Sequence, residues 1–92
     1  MALIFENERV VYDSEEELMR FFAAEGMTLV RCGVSNAALV ALEEDALTDP
    51  DAMVSAYLRN RELIQDIVER KYSAHRFESG RIIVVRLQDL PA

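Results

Sequence analysis

The sequence predicts an α+β fold: a small antiparallel sheet of about four strands, packed against one long C-terminal helix and one shorter helix. Three observations carry this. Asp49-Pro50 is a helix start, with an N-cap side chain followed by a proline whose missing N–H costs nothing at the first helical position. TLVRCGV, 28–34, alternates at the period of a strand. GRIIVVRL, 80–87, is apolar on both alternate faces, as in a strand covered on both sides and central in its sheet.

Taken in order, the apolar run 2–5 is the first strand candidate, and Val10, Val11 and Tyr12 can dock on a core. DSEEELMRFFAAEG, 13–26, admits two readings. Asp13 and Ser14 are good caps, and Ser14 with Glu17 has the spacing of a capping box. Glu15, Glu16 and Glu17 favour a helix N-terminus, and Gly26 suits its end. A helix gathers Leu18, Phe21 and Phe22 on one side. A strand over roughly 17–22 leaves neither face cleanly polar, with Gly26 as a hairpin turn before 28–34.

In strand 28–34, Thr28, Val30, Cys32 and Val34 share a face, and Leu29, Arg31 and Gly33 share the other. Ser35 caps a short helix, NAALVALEEDAL, with Leu39, Leu42 and Ala46 in its stripe. The long helix runs from Pro50 to the low seventies, with Met53, Val54, Tyr57, Ile64, Ile67, Val68 and Tyr72 at helical spacing. Asp66 and Arg70 form an i,i+4 pair, and Arg70 and Lys71 suit the helix C-terminus. After the turn at 78–80, residues 81–88 form the last strand candidate.

The 92 residues are expected to form a single globular domain with one modest core. The net charge of −7 argues against nucleic acid and against an anionic membrane surface as partners. It allows a basic partner, although solubility alone accounts for it. Cys32 is the only cysteine, which fits a reducing compartment, and no signal-like or membrane-spanning run is present; a cytoplasmic location is expected.

Chemistry-bearing patterns are sparse. One cysteine and one histidine, Cys32 and His75, cannot make a four-ligand zinc site, and they read better as a core thiol and a helix-terminal cation. Three glycines leave no phosphate-cradling loop, and the acidic clusters lack the spacing of a calcium loop. No catalytic residue, metal or cofactor is therefore expected. The one constellation that stands out is Tyr57, Asn60 and Arg61, with Ile64. Its spacing projects Arg61 from the apolar stripe, where it can grip a carboxylate of a partner or ligand, or instead pair within the chain.

Several short motifs appear in a telling order: IF at 4–5, YD at 12–13, RF at 20–21, C-x-VS at 32–35 and AL at 38–39. NRELI at 60–64, KY at 71–72 and a β-rich end follow. Together they resemble, over nearly the whole chain, the small bacterial family catalogued as "domain of unknown function 1488". The resemblance implies a compact cytosolic protein with an antiparallel sheet and helices. It implies no activity and carries over no functional residues. It also implies a β-hairpin between YD and C-x-VS, whose first arm ends in a V-R-F type motif, here Met19, Arg20 and Phe21. This chain departs from that pattern at Glu15, Glu16, Glu17 and Leu18, which are good helix formers. The resemblance favours the strand over 17–22, and the local chemistry favours the helix.

Three functions fit. The first is a non-enzymatic interaction module acting through a protein partner or by self-association, with a homodimer relieving the exposed edges of a small sheet. The second is a ligand-binding or enzymatic domain with a helix/sheet pocket near Arg61. The third is an acidic decoy of nucleic acid. The first is preferred because no catalytic constellation is present.

Overall fold

The computed structural model describes residues 3–44 and 49–91, with 6–9 described by backbone alone. Four strands and two helices follow in the order β1 (Ile4–Asp13), β2 (Leu18–Glu25), β3 (Thr28–Ser35), α1 (Asn36–Glu43), α2 (Pro50–Ser73) and β4 (Ile83–Val85). A 3-10 turn over Leu87–Asp89 is the last element of the described residues. The class is α+β, with a four-stranded sheet in the order β1-β2-β3-β4.

The stretch 13–26 is a turn and a strand. Asp13 does cap, but it caps a turn: its Oδ1 accepts the N–H groups of Glu15 at 3.1 Å and Glu16 at 3.2 Å. Glu17 then takes a left-handed conformation, φ 54°, and reverses the chain. The same Asp chemistry serves helix starts and Asx turns, so it does not choose between them. What chooses is pairing. β2 lies between β1 and β3 and is antiparallel to both, from Leu18↔Ser35 through Glu25↔Thr28 on one side. Gly26, φ 59°, opens the two-residue turn between β2 and β3, a position that favours glycine.

Two expectations are corrected. The sheet is mixed: β4 runs parallel to β3, with Cys32↔Ile83, Gly33↔Val84 and Val34↔Val85 in register. Two helices intervene between these strands, and a crossover of that length permits parallel pairing. β4 is also an edge strand, not a central one. Ile83, Val84 and Val85 are nevertheless all buried. A continuous apolar run reports two covered faces and carries no information about the number of strand neighbours.

Both helix starts agree with the sequence. Ser35 accepts the Ala38 N–H at 3.2 Å, and Asp49 accepts that of Ala52 at 2.8 Å. The first helix ends at Glu43, with Glu44 left-handed at φ 54°. The expected continuation over 45–47 and the stop at Thr48 lie outside the described residues, as does Ala2 of the first strand.

Both helices pack on one face of the sheet. Met19, Phe21 and Ala23 of β2 meet Val30, Cys32 and Val34 of β3 and Ile83 and Val85 of β4. Leu39 of α1 and Met53, Ala56, Tyr57, Ile64 and Val68 of α2 close over them. The period-two alternation of β2 and β3 thus meets the helical stripe of α2, and burial of these side chains drives the association. Phe21 and Tyr57 rings stand 4.7 Å apart at the centre.

Candidate functional site

The sequence-derived trio separates in space. Tyr57 is buried in the core, and its hydroxyl accepts from Gln65 Nε2 at 3.2 Å. Burial pushes its phenol pKa up, partly offset by that hydrogen bond. Asn60 braces the two helices: its Nδ2 donates to Glu43 Oε2 and to the Ala56 carbonyl, both at 2.8 Å. Arg59 also donates to Glu43, from Nε at 3.0 Å, and these hydrogen bonds hold the Glu43 carboxyl below its usual pKa. Arg61 is exposed. Its expected place in the stripe is corrected: the buried face passes through Tyr57, Asn60 and Ile64, at steps of three and four, and Arg61 falls one position outside it. Among the described residues Arg61 makes no ion pair, so it is the member of the trio a partner can reach.

Cys32 and His75 are also apart in character. Cys32 is in the core, where burial pushes its thiol up to about 12, which suppresses nucleophilic chemistry at neutral pH. His75 is exposed past the end of α2, with φ 56°. Among the described residues no group of three or more His, Cys, Asp or Glu side chains is placed to hold a metal ion. No helix among them is long and apolar enough to cross a membrane.

The most distinctive surface is the sheet face opposite the helices. Register and alternation place its residues in rows. Ile4, Ala24 and Leu29 form one row across three strands. By register Glu6, Phe22 and Arg31 fall in the next, and Val11, Arg20, Gly33 and Val84 span four strands in the one after. Solvated faces of antiparallel sheets are usually polar. Here Ile4 is 75 % exposed, Leu29 65 % and Val11 58 %, and Met27 is fully exposed at the hairpin tip.

Toward β4 the same face becomes a polar hollow of about 340 Å³, with Arg20, Arg31 and Arg86 at its walls. Arg20 Nε reaches Asp13 at 2.9 Å. Arg86 forms a fork on Glu78, at 3.0 and 2.7 Å, which lowers the Glu78 pKa. Arg31 donates to the Gly80 carbonyl and has no carboxylate partner among the described residues. The sequence did hold a trace of this surface: strand 17–22 has no polar face. Which face would be left open depends on where the helices pack, and periodicity does not report that.

Asp13, Glu43, Asp66, Glu78 and Asp89 are each engaged by a cationic side chain of this chain.

This arrangement defines a class: small α+β domains in which a hairpin-led sheet carries its helices on one side. Its family is known by the description "Protein of unknown function (DUF1488)", whose model matches residues 3–84, and the chain belongs to it. A crystal structure of a protein of unknown function from the same family, from Shewanella loihica PV-4, has the same fold. It is 19 % identical, aligns over 90 % of each chain and has a TM-score of 0.85. No curated protein matches.

Proposed function

We propose that this protein is a non-enzymatic interaction module of the cytoplasm, acting through a protein partner that docks on the open face of the sheet. The observation that carries the reading is the exposure of Ile4 and Leu29 in one row across Ala24, with Met27 at the hairpin tip, Arg31 in the next row and Val11 in the one after. An apolar patch interrupted by arginine has the composition of an interface core and not of ordinary surface. Charge selects the partner. Among the described residues Arg31 has no carboxylate partner, so the fitting partner presents apolar side chains with a carboxylate at their edge. A second copy sets two chains of net charge −7 against each other.

Site-specific photo-crosslinking tests this in cells that express the chain. A photoreactive amino acid in place of Leu29 should yield one adduct with a different protein. The same group in place of Ser55, exposed on α2, should not, and Arg31→Glu should abolish the adduct. Equal adducts at both positions, or insensitivity to Arg31→Glu, would overturn the reading. An adduct of twice the chain mass would replace it with self-association.

A further inference from the structure

A pocket of about 440 Å³ lies where the end of α2 meets the tip of the β2–β3 hairpin, lined by Glu25, Tyr72, Ser73, His75, Phe77 and Arg81. Its volume falls in the range of small-molecule sites. A smaller hollow of about 180 Å³ shares the Tyr72, Phe77 and Arg81 walls and continues along β3. The Tyr72 and Phe77 rings meet edge to face, with centroids 6.0 Å apart.

Two opposite charges line this pocket without pairing to each other. Tyr72 donates to Glu25 Oε1 at 2.8 Å, while Glu25 Oε2 is shielded from solvent and has no hydrogen-bond partner among the described residues. A shielded carboxylate oxygen without a donor is costly, and such atoms call for a specific explanation. The terminal carboxylate torsion of glutamate is soft, so a small rotation can turn that oxygen toward the pocket. Arg81 rests over the Phe77 ring, 5.2 Å from its centroid, and makes no ion pair among the described residues. Arg81 and His75 both adopt the left-handed backbone region, at φ 58° and 56°, which favours glycine. At His75 this is the helix stop of α2, closed by the His75 and Arg76 N–H groups on the Tyr72 and Lys71 carbonyls.

We propose that this pocket binds a small zwitterion of the α-amino-acid class, its ammonium on Glu25 and its carboxylate on Arg81. The ammonium supplies the donor that Oε2 lacks, as a charge-assisted hydrogen bond. The carboxylate takes the guanidinium fork. The apolar side chain lies against Tyr72 and Phe77 and extends into the smaller hollow. A lone cation would meet Arg81, and a lone anion would meet Glu25; only a molecule with both charges is matched at both walls. This proposal does not depend on the partner surface, because Arg31→Glu tests that surface and Glu25 and Arg81 test the pocket.

The experiment is an amide-resolved NMR titration of the full chain with free leucine, up to about 10 mM. Saturable shifts are expected at Glu25, Tyr72, Phe77 and Arg81. N-acetyl-leucine, which lacks the ammonium, and leucinamide, which lacks the carboxylate, should each bind at least about tenfold more weakly. Glu25→Gln keeps an acceptor for Tyr72 and should lose binding by a similar factor. Arg81→Gly removes the guanidinium and relieves the left-handed backbone, so it should melt at a higher temperature and fail to bind. No saturation, equal binding of the blocked forms, or undiminished binding by folded Arg81→Gly would overturn the proposal.

Discussion

Lys71 and Asp89 are joined by an ion pair of 2.7 Å, with both side chains 13 % exposed. The same ammonium donates to the Val84 carbonyl at 2.7 Å, and the same carboxylate oxygen accepts the Arg86 N–H at 2.8 Å. The pair therefore pins the end of α2 to edge strand β4 and to the turn that follows it. Burial alone would raise the Asp89 pKa, but the hydrogen bonds from Lys71 and the Arg86 backbone outweigh it and hold it below the usual value of 3.8.

Asp89→Asn should lower stability by about 2–3 kcal/mol at neutral pH, because it leaves a largely buried ammonium without its counter-charge. The sign in acid follows from the depressed folded pKa. The contribution is complete above the unfolded value and lost as pH falls through the folded one. Denaturant titrations at pH 7 and at successively lower pH below 4 should show the gap between wild type and variant shrinking. A gap independent of pH would place the effect in packing.

The ring pair at the core centre separates packing from hydrogen bonding. Phe21→Ala should cost about 3–5 kcal/mol, since Phe21 is fully buried against Tyr57. Tyr57→Phe keeps the ring and removes only the contact with Gln65, for about 1 kcal/mol. Thermal melts of the two variants should fall in that order.

Arg61 and Asn60, adjacent in sequence, should behave oppositely. Arg61→Leu changes an exposed position and should stay within about 0.5 kcal/mol of wild type. Asn60→Ala breaks two hydrogen bonds between and along the helices and should cost about 1–2 kcal/mol. A large loss in Arg61→Leu would show that its guanidinium has a structural partner.

Cys32 should resist alkylation in the folded state at pH 8 and react fully in denaturant, read by mass spectrometry. Its folded pKa of about 12 exceeds the ordinary 9.0, so the folded state holds the proton more tightly. That contribution is present below pH 9 and declines above it. Cys32→Ala should accordingly flatten the alkaline loss of stability.

Local signals read the helix starts well because a cap is chemistry within four residues. Ser35 and Asp49 with Pro50 needed no tertiary context, and the alternation of 28–34 sufficed to name β3. The same reasoning reaches its limit at Asp13. Its side chain caps whichever backbone N–H groups follow it, and here they belong to a turn. The family motifs supplied what local chemistry lacked, a hairpin between YD and C-x-VS.

By itself the sequence determined the α+β class, both helix starts, the acidic balance and a core thiol. Each depends on composition or on neighbours a few residues apart. Only the tertiary structure decided that 18–25 is a strand flanked on both sides, that β4 lies parallel at the edge, and that Asn60 faces the other helix. It alone decided that Ile4 and Leu29 stay exposed and that Glu25 and Arg81, 56 residues apart in numbering, line one pocket. These depend on pairing and packing between distant segments, where ladder hydrogen bonds and burial override the preference of any single stretch.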